Sequence, residues 1–264
     1  MRQAFLPALI LLYPGVLGAQ AMPPQEAAAL LKRARAAHYN AADQGFGGLE
    51  ADVVPEWDTV LAALRKQDAP AADRAMRILE SLHFHMVMGA DGVPKVTHDD
   101  PQAANPQSAQ GLAQVYGGME QMLHGFFQSW GAFELNHPFP DPGVPFVIQA
   151  AGGQHVITYK EGDTDIETTL GPDLRILSIK VHSPALDSLV QPQFEASPQG
   201  FYLVGYQGDY SDGKPEETTR LHVRIDTQMA AGVRVPSRLV LVGSYGATLF
   251  NLEVGFTDLK VTRK

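Results

Sequence analysis

Three histidines and a carboxylate, His83, His85, His98 and Asp100, have the types and spacing that suit metal chemistry. They flank Asp91-Gly92, a strong signal for a two-residue hairpin turn. With that turn, His85 faces His98 and His83 faces Asp100, all on one side of a two-stranded ribbon. Three imidazoles and a carboxylate so placed could bind zinc or a similar ion and serve a metal-dependent hydrolase. The pairing is sensitive to loop length, because a slip of one residue moves a whole strand's side chains to the other face. The plainer alternative is a solvated polar face with unrelated histidines, and it is preferred. No metal, cofactor or catalytic residue is assigned.

The other signatures of chemistry are absent. The sequence has no G-x-S-x-G elbow, no H-E-x-x-H, no P-loop and no G-x-G-x-x-G. Asp209 and Asp212 near Gly213 lack the terminal glutamate of a calcium loop, so this segment reads as a β-turn. The chain has no cysteine, which removes thiolate nucleophiles, cysteine-ligated metals and a disulfide framework. The expectation is a protein that is not an enzyme.

The second group with functional potential is apolar. Leu112, Val115, Tyr116, Met119, Met122, Leu123, Phe126, Phe127, Trp130 and Phe133 recur at helical spacing as one continuous stripe. Gly117-Gly118 inside it is expected to weaken or kink the helix. The stripe is either core or the lid of an apolar cavity. In the second case Met119, Met122, Phe126, Phe127, Trp130 and Phe133 are the ligand-binding residues. Tyr202, Val204 and Tyr206, or the face opposite them, then contribute from the sheet side. Met86 and Met88 suit either reading, since thioethers adapt to irregular apolar surfaces.

These groups must be positioned by two compositionally different halves. Residues 24–133 are rich in Ala, Leu, Gln and Met. A helix is expected at 25–39, a half-buried strand at 49–53, short helices at 57–65 and 71–82, and strands at 84–88 and 95–98. Residues 146–264 are β-branched and aromatic, with turn signals about every ten residues, as in an antiparallel sheet of six to eight strands. Phase slips at Ile176-Leu177 and near Asp258 read as bulges that curve it.

At the N-terminus, residues 1–21 (MRQAFLPALILLYPGVLGAQA) have the layout of a secretory signal peptide. Arg2 precedes an apolar run, and Ala19-Gln20-Ala21 supplies the small-x-small cleavage pattern. The run is too short and too interrupted by proline to span a bilayer. The expected location is periplasmic or secreted, and the expected mature chain is a single domain over 22–264. The whole chain carries 20 Lys+Arg against 29 Asp+Glu, a net charge of −9. That balance argues against nucleic acid and anionic lipid surfaces, which attract basic patches.

The C-terminal stretch carries a local pattern. Val235-Pro236 leads into Ser237–Val242, a turn follows at Ser244–Gly246, and the end reads Phe256-Thr257-Asp258-Leu259-Lys260-Val261. With the export signal, the N-terminal amphipathic helix, the lid-like helices and the long meander, this resembles the periplasmic lipoprotein carriers. These are the LolA- and LolB-like proteins, with related mycobacterial lipid carriers and sigma-factor regulators of the envelope stress response. The resemblance implies an α+β fold, a strongly curved antiparallel sheet forming an open half-barrel with helices on its concave face. It implies a carrier of a hydrophobic ligand, a lipid or the acyl chains of a lipoprotein, that also meets other envelope proteins. An envelope protein–protein interaction module is the alternative, and a metal-dependent hydrolase the more distant one.

Overall fold

The computed structural model describes residues 20–99, 106–213 and 218–264. The expected signal peptide lies outside the described residues except for Gln20 and Ala21, and Asp100 lies outside them too.

Among the described residues the fold is α+β, with four helices and one open antiparallel sheet. In chain order the elements are β1 (Gln20–Ala21), α1 (Pro24–Ala37), β2 (Phe46–Pro55), α2 (Trp57–Gln67), α3 (Ala69–Leu79), β3 (Phe84–Gly89), β4 (Pro94–His98) and α4 (Pro106–Glu134). Nine strands follow: β5 (Phe146–Ala151), β6 (Gln154–Glu161), β7 (Thr164–Leu170), β8 (Ile176–His182), β9 (Asp187–Ser197), β10 (Gly200–Ser211), β11 (Thr219–Ala230), β12 (Val233–Tyr245) and β13 (Thr248–Arg263). Among the described residues the second half thus holds nine strands rather than six to eight. Short two-residue loops such as Pro198-Gln199 and Ala231-Gly232 divide what composition alone reads as one segment.

Local chemistry sets the helix starts. Pro24 opens α1, where its missing N–H costs nothing, and Glu26 and Arg35 lie at the ends that suit their charges. Asp68 caps α3, its side chain accepting the Ala71 N–H at 2.9 Å. The helix α4 runs without a break through Gly117-Gly118, so the expected weak point is carried by packing on either side.

The strand order is β1-β5-β6-β7-β8-β9-β10-β11-β12-β13-β2-β3-β4, with every pair antiparallel and the two ends unpaired with each other. The meander from β5 to β13 returns to pair with β2, so the two halves share one sheet. α4 leaves the β4 edge and delivers the chain to β5 near the other edge. At about 1.5 Å per residue it is roughly 44 Å long, enough to cross many strands. Bulges fall where the phase slips predict: Leu177 is extra opposite Thr169 and Leu170, and the β13–β2 register shifts between Thr257 and Lys260.

One face of the sheet joins the helices in a single core. Phe126 and Phe127 of α4 pack on Phe256 of β13, Trp130 on Phe46 of β2, and Phe133 on Phe194 of β9. These ring pairs are edge-on or offset, the arrangements aromatic quadrupoles prefer. Ile148, Ile157, Leu170, Val223, Leu239 and Val254 are buried in the same cluster.

Candidate ligand-binding cavity

Antiparallel register lays side chains in rows across the sheet. One row runs Phe146, Tyr159, Ile166, Val181, Ser188 and Tyr210 across β5 to β10, each residue paired with the next. The row beneath it on the same face, Ile148, Ile157, Thr168, Ile179 and Val190, belongs to the interior. The outer row lines a cavity of about 990 Å³. That is the upper end of the range of small-molecule sites. Its walls are chiefly apolar, from Phe146, Ile166, Val181 and the rings of Tyr159 and Tyr210.

The charged residues around the cavity stand at the alternating positions and are paired among themselves. Lys160 Nζ lies 2.9 Å from Asp165, and Lys180 Nζ lies 2.7 Å from Glu167. His182 pairs with Asp187, and Arg220 Nε lies 3.7 Å from Asp209. The polar atoms facing the cavity row itself are hydroxyls. Burial, with the Glu161 and Asp141 carboxylates nearby, pushes the Tyr159 phenol up to about 12. Burial likewise raises Tyr210, aided by Tyr206 and Asp209. The Tyr210 ring lies back over Gly208, where a Cβ would meet its Cε2 at 2.6 Å. One layer down, Thr168 is fully buried and its Oγ1 has no partner among the described residues.

The histidine constellation comes apart. The β3–β4 pairing is Phe84 with His98 and His85 with Thr97, one residue away from the expected register. The last β3–β4 pair is Met88 with Pro94, so five residues, 89–93, separate the paired positions, with the Gly92 N–H bonded to Gly89 O, and this longer connection sets the shift. His98 therefore shares a face with Phe84 and stacks on Tyr116 at 3.5 Å. His85 lies on the other face, with Nδ1 2.8 Å from Asp52 and Nε2 3.6 Å from Glu50. The hydrogen bond to His85 holds the Asp52 carboxyl below its usual range. His83 pairs with Asp99 at 2.8 Å, and its expected partner Asp100 lies outside the described residues. All three histidines border a second cavity of about 640 Å³ with Trp57 and Phe84. Among the described residues, no group of three or more His, Asp or Glu has the geometry to hold a metal ion.

The aromatic stripe is core. Met119, Phe126, Phe127, Trp130 and Phe133 are buried, and Met122 is partly buried against them. None of the six lines either cavity. Of the sheet-side residues, Tyr206 is buried, while a bulge at Val204 turns Tyr202 to the other face. There the Tyr202 hydroxyl donates to Glu195 at 2.6 Å, and the Arg234 guanidinium lies 3.9 Å from the ring centre.

Sequence reasoning missed Glu134. It follows Phe127 and Trp130 at steps of three and four, so it lies on the stripe's own face, and that spacing is the signal. It is buried and accepts the Leu203 N–H at 2.6 Å through Oε1. Desolvation pushes its carboxyl up to about 8. His38 is a second buried polar residue, set among Phe139, Phe194 and Phe201, with Nδ1 2.9 Å from Ala34 O. Burial lowers its pKa.

Compared with protein-family models, with curated proteins and with solved structures, the chain has no match in any of the three.

Proposed function

We propose that this protein is an exported carrier or binding protein for a hydrophobic ligand, a lipid or an acyl chain. In this reading the sheet curves into an open half-barrel of the LolA/LolB-like kind, α1 and α4 cover its concave side, and residues 1–21 direct export. The observation that carries it is the apolar cavity of about 990 Å³ on the core face of β5 to β10. Ligand burial there is favoured by about 25 cal/mol per Å² of apolar surface removed from water. The aromatic residues of α4 then support the cavity from the core rather than touch the ligand.

The test is native mass spectrometry of gently purified protein, with lipid extraction and titration with a neutral solvatochromic dye. Co-purified lipid, or a blue-shifted and saturable dye signal, supports the carrier. Neither lipid nor dye binding removes it.

A second reading, an envelope protein–protein module, draws on the β12–β13 hairpin. Leu249 at its tip is 83% exposed, with Tyr245 and Val242 exposed beside it. Such a tip suits burial against another protein. Loss of a co-purifying envelope protein on Leu249→Asp, with dye binding intact, favours this reading.

A further inference from the structure

We infer that the cavity selects an uncharged lipid bearing carbonyl oxygens, such as an acylglycerol, over a free fatty acid anion, with Tyr159 and Tyr210 as the groups that read the carbonyls. The inference rests on the carrier reading and names its ligand class.

Two observations carry it. First, among the described residues neither phenol oxygen has a hydrogen-bond partner, and neither is sealed away from open space. The two rings stand in one row of the sheet and both line the cavity. A phenol donates one hydrogen and accepts others, so each can donate to an ester carbonyl. Once an apolar ligand displaces water from these oxygens, a donor left without a partner is costly, and a carbonyl removes that cost. Both phenols stay protonated far above neutral pH, so the donors persist under ordinary conditions.

Second, among the described residues the cavity lining offers no free cation to a carboxylate. Its described lining holds two lysines and His182, which is paired with Asp187, against four carboxylates, Asp165, Glu167, Asp187 and Asp209. Both lysines are engaged by carboxylates. Among the described residues an anionic head group therefore meets net negative charge and no unengaged donor cation, and burying it unpaired is expensive. A cationic head group fares no better, since each of the four carboxylates already faces a basic partner.

The test uses three probes on the full chain: dioleoylglycerol, oleate at pH 8 and hexadecane, each measured by displacement of a bound neutral dye. Dioleoylglycerol is expected to bind at least tenfold more tightly than oleate. Tyr159→Phe and Tyr210→Phe should each weaken dioleoylglycerol about fivefold, the size of one lost hydrogen bond, and leave hexadecane unchanged. Tyr202→Phe, away from the cavity, should change none of the three. Thermal unfolding of each variant confirms an intact fold, since these changes remove no protein hydrogen bond in the cavity pair. Oleate binding as tightly as dioleoylglycerol, or phenylalanine variants that bind it unchanged, overturns the inference while leaving the carrier reading in place. Binding of none of the probes overturns both.

Discussion

Glu134 and Leu203, 69 positions apart, are joined by a buried hydrogen bond of 2.6 Å from the Leu203 N–H to Glu134 Oε1. It fastens the C-terminal end of α4 to β10. The same corner holds the end of α1, since Glu134 O accepts the Ala41 N–H and Tyr39 donates its N–H to Phe201 O. One acidic side chain thus sits where three elements meet.

That position makes stability depend on pH. The Glu134 carboxyl, near 4.5 when unfolded, is raised to about 8 by burial. The native state therefore keeps a proton that the unfolded chain loses, and stability falls as pH rises from about 4.5 to about 8. Glu134→Gln keeps a carbonyl acceptor for Leu203 and cannot ionise. Urea unfolding should show the variant roughly 2–4 kcal/mol more stable than the parent at pH 8, with the gap closing toward pH 4.5. Equal gaps at both pH values would refute the assignment. His38 and His137, lowered by burial, act in the other direction, their contribution being lost as pH falls below about 6.5. They are common to both proteins and cancel in the comparison.

Thr168 is fully buried between Ile157 and Ile179 with an unpartnered hydroxyl. Thr168→Val exchanges that hydroxyl for a methyl group of similar size. The midpoint of denaturant unfolding should rise, by about 1 kcal/mol in free energy. A loss of stability would mean that the hydroxyl has a partner.

Phe127 and Trp130 are core residues whose rings touch each other at 6.0 Å. Phe127→Ala should cost about 3–5 kcal/mol, whether or not lipid is present. A fully folded Phe127→Ala protein that lost only ligand binding would return the stripe to the role of a lid.

Gly208 leaves the space that the Tyr210 ring occupies. Gly208→Ala forces that ring toward the cavity, because the added Cβ would lie 2.6 Å from Cε2. Dye binding should weaken several-fold while the protein remains folded, at a cost of roughly 1–3 kcal/mol. Unchanged binding would place the ligand away from Tyr210.

Much of the architecture follows from local pattern. The spacing from Leu112 to Phe133 specifies one long helix, because steps of three and four leave no other way to gather those side chains on one face. The alternation of Leu221, Val223 and Ile225 specifies a strand for the corresponding reason. The doubled phase at Ile176-Leu177 marks a bulge without reference to a partner strand. Tertiary structure decided the relations between elements. Register across β3 and β4 turns on a single residue of loop length, and that residue separates His85 from His98. Glu134 became a buried acid because β10 supplies its hydrogen bond, a contact that composition around it does not encode. The row from Phe146 to Tyr210 draws on six strands with no common motif, so its cavity exists only once every register is set. Periodicity acts over a few residues along the chain and is written in the sequence. Juxtaposition across strands sums many pairings, each able to slip by one, and only the folded sheet resolves them.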